Sequence, residues 1–273
     1  MLRDITLGQY FPGKSILHKI DPRVKILISI AYIVAVFLAK ATSAYILLIA
    51  FTAALVIISR INVKTILKGV KPILFVIIFT AIINVFFTTG ETLLFEWKFI
   101  RVYLEGVVNA AFMAVRIVTL LVGTSVILTY TTSPIALTDA IERLLSPLRV
   151  IKIPVHEFAM MMTIALRFIP TLIEETDKIM SAQKARGADF STGKLTDRAR
   201  ALIPVLIPLF ISAFRRADEL AIAMECRCYR GGKGRTRMTK LHLHFYDFLT
   251  LLVIAAFIAG IVLIGKYYPI YAI

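Results

Sequence analysis

The chain has 273 residues, of which 59% are hydrophobic, and its mean hydropathy is +0.82. Soluble domains are about 45–50% apolar, so this composition, gathered into long apolar runs, excludes an ordinary soluble domain and indicates an integral membrane protein. The formal net charge of +15 would suit a nucleic-acid-binding protein, but most basic residues lie between the apolar runs, where topology and lipid headgroups account for them, so we expect a lipid bilayer and no nucleic acid as a partner.

Five apolar runs predict membrane-spanning helices. The pair Asp21-Pro22 predicts the start of the first, because aspartate caps helices and proline suits the first helical position. Only residues 40–43 separate the first two runs, which are therefore predicted to form a helical hairpin, and a polar stretch at 88–105 separates the third run from the fourth. The predicted spans are Val24–Ala39, Ala44–Ser59, Pro72–Phe87, Gly106–Tyr130 and Phe245–Ile264.

Basic residues are distributed unevenly across these spans. With the N-terminus in the cytoplasm, 27 of the 32 lysine and arginine residues lie on the cytoplasmic side, counting Lys25 at the start of the first span, and four lie on the opposite side. Arg116 lies within the fourth span. Since cytoplasmic loops carry an excess of lysine and arginine, we predict a cytoplasmic N-terminus and an external C-terminus.

The long block at 131–244 is predicted to form helices on the cytoplasmic side rather than a soluble domain. Ser133-Pro134 begins an amphipathic helix that we expect to lie along the membrane surface. Pro154 begins a longer helix, in which Pro170 predicts a bend. We therefore divide the chain into an N-terminal membrane bundle of four spans, a cytoplasmic-side helical region and a C-terminal transmembrane helix, at 1–130, 131–244 and 245–273.

A third helical pattern in this block covers Thr196–Tyr229 and is predicted to be broken at Pro204 and Pro208. Its apolar middle could suggest a sixth span. We do not count it as one, because it contains two prolines and because an extra crossing would place the flanks of the last span on the wrong sides.

Two segments of the block match when one is shifted by 41 residues onto the other. Each is a helical pattern that ends in an arginine, with glycine close behind, as expected where a helix stops. Arginine is a rigid planar donor that binds carboxylates or carbonyls at interfaces, so two matching helix ends favour two matching sockets on a partner. The alternative is that both arginines only meet lipid headgroups or the helix C-terminal dipole. The matching pairs are Asp177 and Asp218, Ile179 and Leu220, Ala182 and Ala223, and Arg186 and Arg227.

No catalytic constellation stands out, so we expect a protein that is not an enzyme and holds no cofactor or metal. The segment Gly187–Lys194 resembles a phosphate-binding loop, but five residues separate its glycines where four are needed, and Leu195 replaces the magnesium-binding hydroxyl residue. Away from the ends of the spans, only Arg116 is charged. We expect it to pair with a buried polar group such as Asn84 or Asn109; the alternative is that it lines a transport path.

Several short motifs together resemble one known family, the transmembrane T component of energy-coupling factor (ECF) transporters. These are ABC importers for vitamins and transition-metal ions, and the resemblance covers essentially the whole chain. The motifs are Gly8-Gln9-Tyr10, Ser15-Ile-Leu-His18, Asp21-Pro22-Arg23-Val-Lys25, Ala185-Arg186-Gly187 and Glu225-Cys-Arg227-Cys-Tyr-Arg-Gly231.

This resemblance implies an all-α membrane protein of the inner (plasma) membrane, with about five transmembrane helices and long cytoplasmic-side coupling helices. Two cytosolic ABC ATPase subunits, which hydrolyse ATP, would each receive one arginine-tipped helix end. The first motif would be Ala185, Arg186 and Gly187. The second, Cys226, Arg227 and Cys228, departs from the usual Ala-Arg-Gly, so only the role of the arginine transfers directly.

A substrate-binding membrane subunit, the S component, is the third implied partner. The broad apolar face of the helix that starts at Pro154 is rich in methionine, which adapts to different partners, so we expect it to contact that subunit. The alternative function is a stand-alone channel or secondary carrier with Arg116 in its path. The expected contact residues are Phe158, Met161, Met162, Ala165, Phe168, Ile169 and Leu172.

Overall fold

The computed structural model describes residues 10–90, 92–97, 100–190, 194–232 and 243–267. Over these ranges the chain is almost wholly helical, which confirms the predicted all-α class. The Gly8-Gln9 part of the first motif lies outside the described residues. The helices are α1 Ile16–Lys19, α2 Pro22–Leu38, α3 Thr42–Ser59, α4 Val63–Val70, α5 Leu74–Phe87, α6 Leu104–Thr124, α7 Pro134–Leu144, α8 Val155–Ala185, α9 Leu195–Cys226 and α10 Phe245–Tyr267.

Short irregular helices join several of these elements. A 3₁₀ turn at Lys71–Ile73 connects α4 to α5, and a second one at Ser146–Ile151 follows α7, where Pro147 stands. A π-helical segment at Ser125–Thr129 extends α6. The predicted third and fourth spans are therefore present, but each is built from more than one kind of helix.

Among the described residues, five helical stretches are long and apolar enough to cross a membrane, but they are not the same five that the sequence predicts. Four of them correspond to the predicted second to fifth spans. The fifth is α8, which we had placed on the cytoplasmic side, whereas α2 has only 17 residues and is not among the five. A 17-residue helix is at the short end of what spans a bilayer, about 17–25 residues. The five stretches are Thr42–Ser59, Val63–Phe87, Leu104–Thr129, Val155–Ala185 and Phe245–Tyr267.

Two features of the backbone differ from the expectation. Strands β1 (Leu93–Trp97) and β2 (Ile100–Tyr103) form an antiparallel hairpin in the stretch we expected only to be polar. The predicted break of the third helical pattern is also wrong, because α9 continues through Pro204 and Pro208. Each proline removes one backbone hydrogen bond, but the remaining bonds of this 32-residue helix keep it continuous.

Contacts divide the chain into two compact units. Of the described residues, those within 10–137 and 243–267 form the bundle unit, and residues 138–190 and 194–232 form the helix-pair unit. In the bundle unit, α6 and α10 pack against both α2 and α3. The expected hairpin of α2 and α3 is thus completed by two helices from later in the chain.

Tyr32 on α2 is the centre of the bundle core. Its side chain is fully buried, and its hydroxyl donates to the Thr119 carbonyl of α6 at 2.9 Å and lies 2.8 Å from the Thr52 hydroxyl of α3. Gly123 leaves the space for the ring, since a Cβ there would fall 2.3 Å from the nearest ring carbon. One tyrosine therefore fixes three helices at once.

The charged residues of the Asp21-Pro22-Arg23-Val-Lys25 motif hold helix ends in this unit. Asp21 caps α2, as predicted, by accepting from the Arg23 backbone N–H at 2.9 Å. The buried Asp247 carboxylate accepts from the backbone N–H of Asp21 at 2.9 Å and from that of His244 at 2.7 Å. One carboxylate thus ties together the N-terminal ends of α2 and α10, where negative charge is favourable. Lys25, also buried, donates to the Thr131 carbonyl at 2.8 Å.

Arg116 has a different partner from the asparagines we expected. Its guanidinium donates to the carbonyl of Ala39 at 3.0 Å and lies 5.6 Å from the centre of the Tyr45 ring. Ala39 is the C-cap of α2, so its carbonyl is one of those that a helix end leaves without an intrahelical donor. Asn84 instead donates to the Thr80 carbonyl one turn earlier in its own helix. Arg116 therefore has a structural role as the cap of α2.

Candidate functional site

The first arginine motif forms the C-terminal end of α8. Arg186 is the C-cap, and Gly187 follows with φ +91°. The Gly187 N–H donates to the Lys184 carbonyl at 2.9 Å and the Ala188 N–H donates to the Gln183 carbonyl at 3.0 Å. These two bonds with a left-handed residue between them are a Schellman motif, the ending that the glycine predicted.

The second motif ends α9 in the same way. Arg227 is the C-cap, and Cys228 follows with φ +53°. The Cys228 N–H donates to the Glu225 carbonyl at 2.8 Å, and the Tyr229 N–H donates to the Met224 carbonyl at 3.0 Å. A cysteine therefore stands in the left-handed position that glycine occupies in the first motif, although a side chain raises the energy of that conformation.

The two ends have the same pattern of backbone hydrogen bonds under the 41-residue shift. Arg186 corresponds to Arg227 as C-cap, and Gly187 corresponds to Cys228 as the left-handed residue. The second helix ends at its arginine, as predicted, but the residue that turns the chain is Cys228 and not one of the glycines that follow, Gly231 and Gly232.

All six motif residues are exposed, namely Ala185, Arg186, Gly187, Cys226, Arg227 and Cys228. Within the described ranges neither guanidinium has a hydrogen bond or an ion pair to another part of the chain. Nothing lies within 4 Å of the position that a Cβ on Gly187 would take. Both helix ends therefore present an exposed planar cation that makes no ion pair with the described part of the chain.

Helices α8 and α9 pack against each other and run in opposite directions. Near the end of α8, Gln183 Nε2 donates to the Pro204 carbonyl, in the early part of α9, at 3.4 Å. Earlier in α8, Glu175 Oε2 accepts from Arg216 Nη2, further along α9, at 2.6 Å. Residues later in α8 therefore contact residues earlier in α9, so the two helices are antiparallel. The two arginine motifs lie at opposite ends of this antiparallel pair.

A groove of about 270 Å³ lies between the two helices. Some of the α8 residues that we expect to contact the S component line this groove, and others do not. Phe168 and Leu172 line this groove, together with Ala213 and Leu220 of α9. The N-terminal half of the face is open instead, with Phe158, Met161, Met162 and Ala165 all exposed. Ile169 is half-buried. The predicted face therefore consists of a part turned to α9 and a part free for a partner.

Helix α9 carries a second exposed apolar face that we did not include in the site. From the sequence we treat the apolar middle of α9 only as a possible sixth span. The helical spacing of its large apolar side chains is the signal that indicates this face. The exposed residues are Leu202, Ile203, Leu206, Ile207, Phe210, Ile211 and Phe214.

Comparison with known proteins shows which family the chain resembles. Residues 13–238 match the Cobalt transport protein family, CbiQ. The chain is 58% identical over 253 residues to the energy-coupling factor transporter transmembrane protein EcfT of Clostridium kluyveri, which covers 92% of this chain and 93% of that protein. The proteins of the same name from Ruminiclostridium cellulolyticum and Bacillus subtilis are 56% identical over 263 residues (96% and 98% covered) and 46% identical over 241 residues (88% and 91% covered). The chain therefore belongs to the family of energy-coupling factor transporter transmembrane proteins.

Proposed function

We propose that this chain is the coupling subunit of an ECF-type importer, in which two cytosolic ABC ATPases each bind one end of the helix pair. The observation that carries the proposal is that Arg186 and Arg227 cap helix ends of the same backbone conformation and are both exposed. Two copies of one ATPase fold can receive two such ends in equivalent grooves. An arginine there donates to carboxylates or carbonyls with fixed geometry.

In this proposal the chain transmits force and the ATPases supply the energy. The ATPases close on ATP and reopen after hydrolysis, and the two arginines move with them. Because each arginine lies at the end of a helix of more than 30 residues, the movement tilts or slides α8 and α9 as rods. The helices then act on the membrane subunit that holds the substrate, a vitamin or a transition-metal ion.

The proposed contact with that S component is the exposed apolar part of α8. Met161 and Met162 are flexible and polarisable, so the surface can repack against a moving partner or against more than one kind of partner. Exposed apolar patches of this kind mark interaction surfaces or lipid contacts. We place the protein in the inner (plasma) membrane with a cytoplasmic N-terminus, because that orientation puts most lysines and arginines in the cytoplasm.

Charge reversal at the two arginines tests the proposal. The chain is co-expressed with its two ATPases, and Arg186→Glu, Arg227→Glu and the double variant are purified through a tag on the chain. We expect each single variant to retain less ATPase and the double variant to retain almost none, since a like or unpaired charge in the groove opposes binding.

Arg215→Glu is the matched control, because Arg215 is also an exposed arginine of α9 but lies near the middle of the helix, away from both motifs. It should retain the ATPases as the unmodified chain does. A double variant that keeps both ATPases in normal amounts contradicts the proposed coupling role.

A further inference from the structure

The ion pair between α8 and α9 joins two residues that are equivalent in the 41-residue repeat. Glu175 precedes Arg186 by 11 positions, and Arg216 precedes Arg227 by 11 positions. The same two residues contact each other, Arg216 Nη2 to Glu175 Oε2, at 2.6 Å. The repeat therefore contacts itself at corresponding positions.

Such a contact has a geometric meaning. When two similar elements are related by a two-fold axis, a residue meets its own equivalent only where the axis passes. The contact between Glu175 and Arg216 is therefore the place where an approximate two-fold axis relating α8 to α9 would pass.

We propose that Glu175 and Arg216 form the pivot of the helix pair, a positioning contact that keeps both arginine motifs at equal distances from the crossing point. Eleven residues of α-helix measure about 16 Å, so each motif lies about that far from the pivot. This inference rests on the proposed coupling function, because equal distances from the pivot to the two motifs matter only if similar partners move both motifs.

The ion pair between Glu175 and Arg216 determines the register of α8 against α9 more than it adds to the stability of the fold. Both side chains are partly exposed, and such ion pairs contribute little to stability. Two identical charged residues at the axis would repel each other, whereas this chain places opposite charges there. A slip by one turn along α8 would bring Lys178 opposite Arg216, a pairing of like charges. The ion pair therefore selects one of several otherwise similar packings.

The distance between two equivalent positions, one near each motif, tests the pivot directly. Spin labels are placed outside the motifs at two exposed positions that are 41 residues apart, Ser181→Cys and Ile222→Cys, with Cys226→Ala and Cys228→Gly to remove the native thiols. Pulsed electron spin resonance then measures the distance distribution in the purified full chain. The charge variants are Glu175→Arg, Arg216→Glu and the swap that combines both. Glu174→Arg and Arg215→Glu are the matched controls, because they are exposed residues of the same types one position away.

We expect one narrow distribution for the unmodified pair, the swap and both controls. Each single reversal should shift the mean by about 5 Å, one helical turn, or at least double the width of the distribution. Glu175→Gln, which keeps an oxygen acceptor for Arg216 and introduces no repulsion, should give an intermediate result if a full reversal prevents folding. Single reversals that leave the distance unchanged, or a swap that does not restore it, overturn the pivot.

The assembled complex with the ATPases separates this inference from the proposed function. With ATP and vanadate present, the distance should change in the unmodified chain and in the swap, and should lose that response in the single reversals. If the complex does not form through Arg186 and Arg227, the coupling proposal fails while the distances in the isolated chain still decide the pivot.

Discussion

Gln183 Nε2 donates to the carbonyl oxygen of Pro204 at 3.4 Å, and that oxygen is the one that Pro208 leaves without a backbone donor. In a regular helix the N–H of residue 208 would bond to the carbonyl of residue 204, but proline has no N–H. Helix α8 thus satisfies an acceptor that a proline exposes in α9. This bond helps to explain why α9 continues through prolines that predicted a break.

A double-mutant cycle tests this relationship. Gln183→Ala should lower the stability of the chain by about 0.5–1 kcal/mol, the lower part of the range for one hydrogen bond, because the bond is long. In a Pro208→Ala background the helix supplies its own N–H to the Pro204 carbonyl. The same Gln183→Ala change should then have almost no effect. The measurement is the midpoint of thermal unfolding in detergent, and equal effects in both backgrounds would refute the account.

The two Schellman ends predict effects of opposite sign for two small substitutions. Gly187→Ala should destabilise the end of α8 by about 1 kcal/mol, because φ is +91° there and no clash accompanies the change. Cys228→Gly should stabilise the end of α9 by up to about 1 kcal/mol, because the left-handed position no longer carries a side chain. Thermal unfolding of the purified chain measures both. Effects of the same sign would show that the two ends are not equivalent.

The contacts of Arg116 predict that its substitution lowers the stability of the folded chain and does not block a transport path. Arg116→Ala removes a charged donor from the end of α2 and should cost about 1.5–3 kcal/mol, with Arg116→Lys intermediate. The unmodified chain, reconstituted alone in liposomes, should show no substrate or ion flux. Flux through the isolated chain that Arg116→Lys alters would favour the stand-alone carrier instead.

The carboxylate of Asp247 should be similarly important for the bundle unit. Asp247→Asn leaves one acceptor for two backbone N–H groups and removes a negative charge from two helix starts, so we expect a loss of about 1–3 kcal/mol. Asp197→Asn, at an exposed aspartate in the first turn of α9, is the control and should change stability far less. A thermal unfolding series of the two variants measures the difference.

Local signals in the sequence predicted most of the helices. Asp21 and Pro22 mark the start of α2, and Gly187 marks the end of α8, because capping depends on a few neighbouring residues. The family and the repeated arginine motif were also visible in the sequence. Partners that come from distant parts of the chain were not, as Arg116 shows with its bond to the Ala39 carbonyl.

Other features depend on tertiary packing that overrides local preference. Cys228 adopts a left-handed conformation that the sequence would assign to glycine, and α9 passes through two prolines. The length and composition of α8 also meet the requirement for a membrane span, although its charged residues favoured the cytoplasmic side. The roles of the motif residues and of the methionine face stay predictions.

The native thiols give the most direct test of the coupling proposal, because Cys226 and Cys228 are the only cysteines of the chain, flank Arg227 and are both exposed. A bulky maleimide reagent should label both in the isolated chain. In the complex with the ATPases the account predicts strong protection of both thiols, and the same protection at Ala185→Cys in a chain with Cys226→Ala and Cys228→Gly. Labelling that is equally fast in the isolated chain and in the intact, transport-competent complex would contradict the docking of these helix ends.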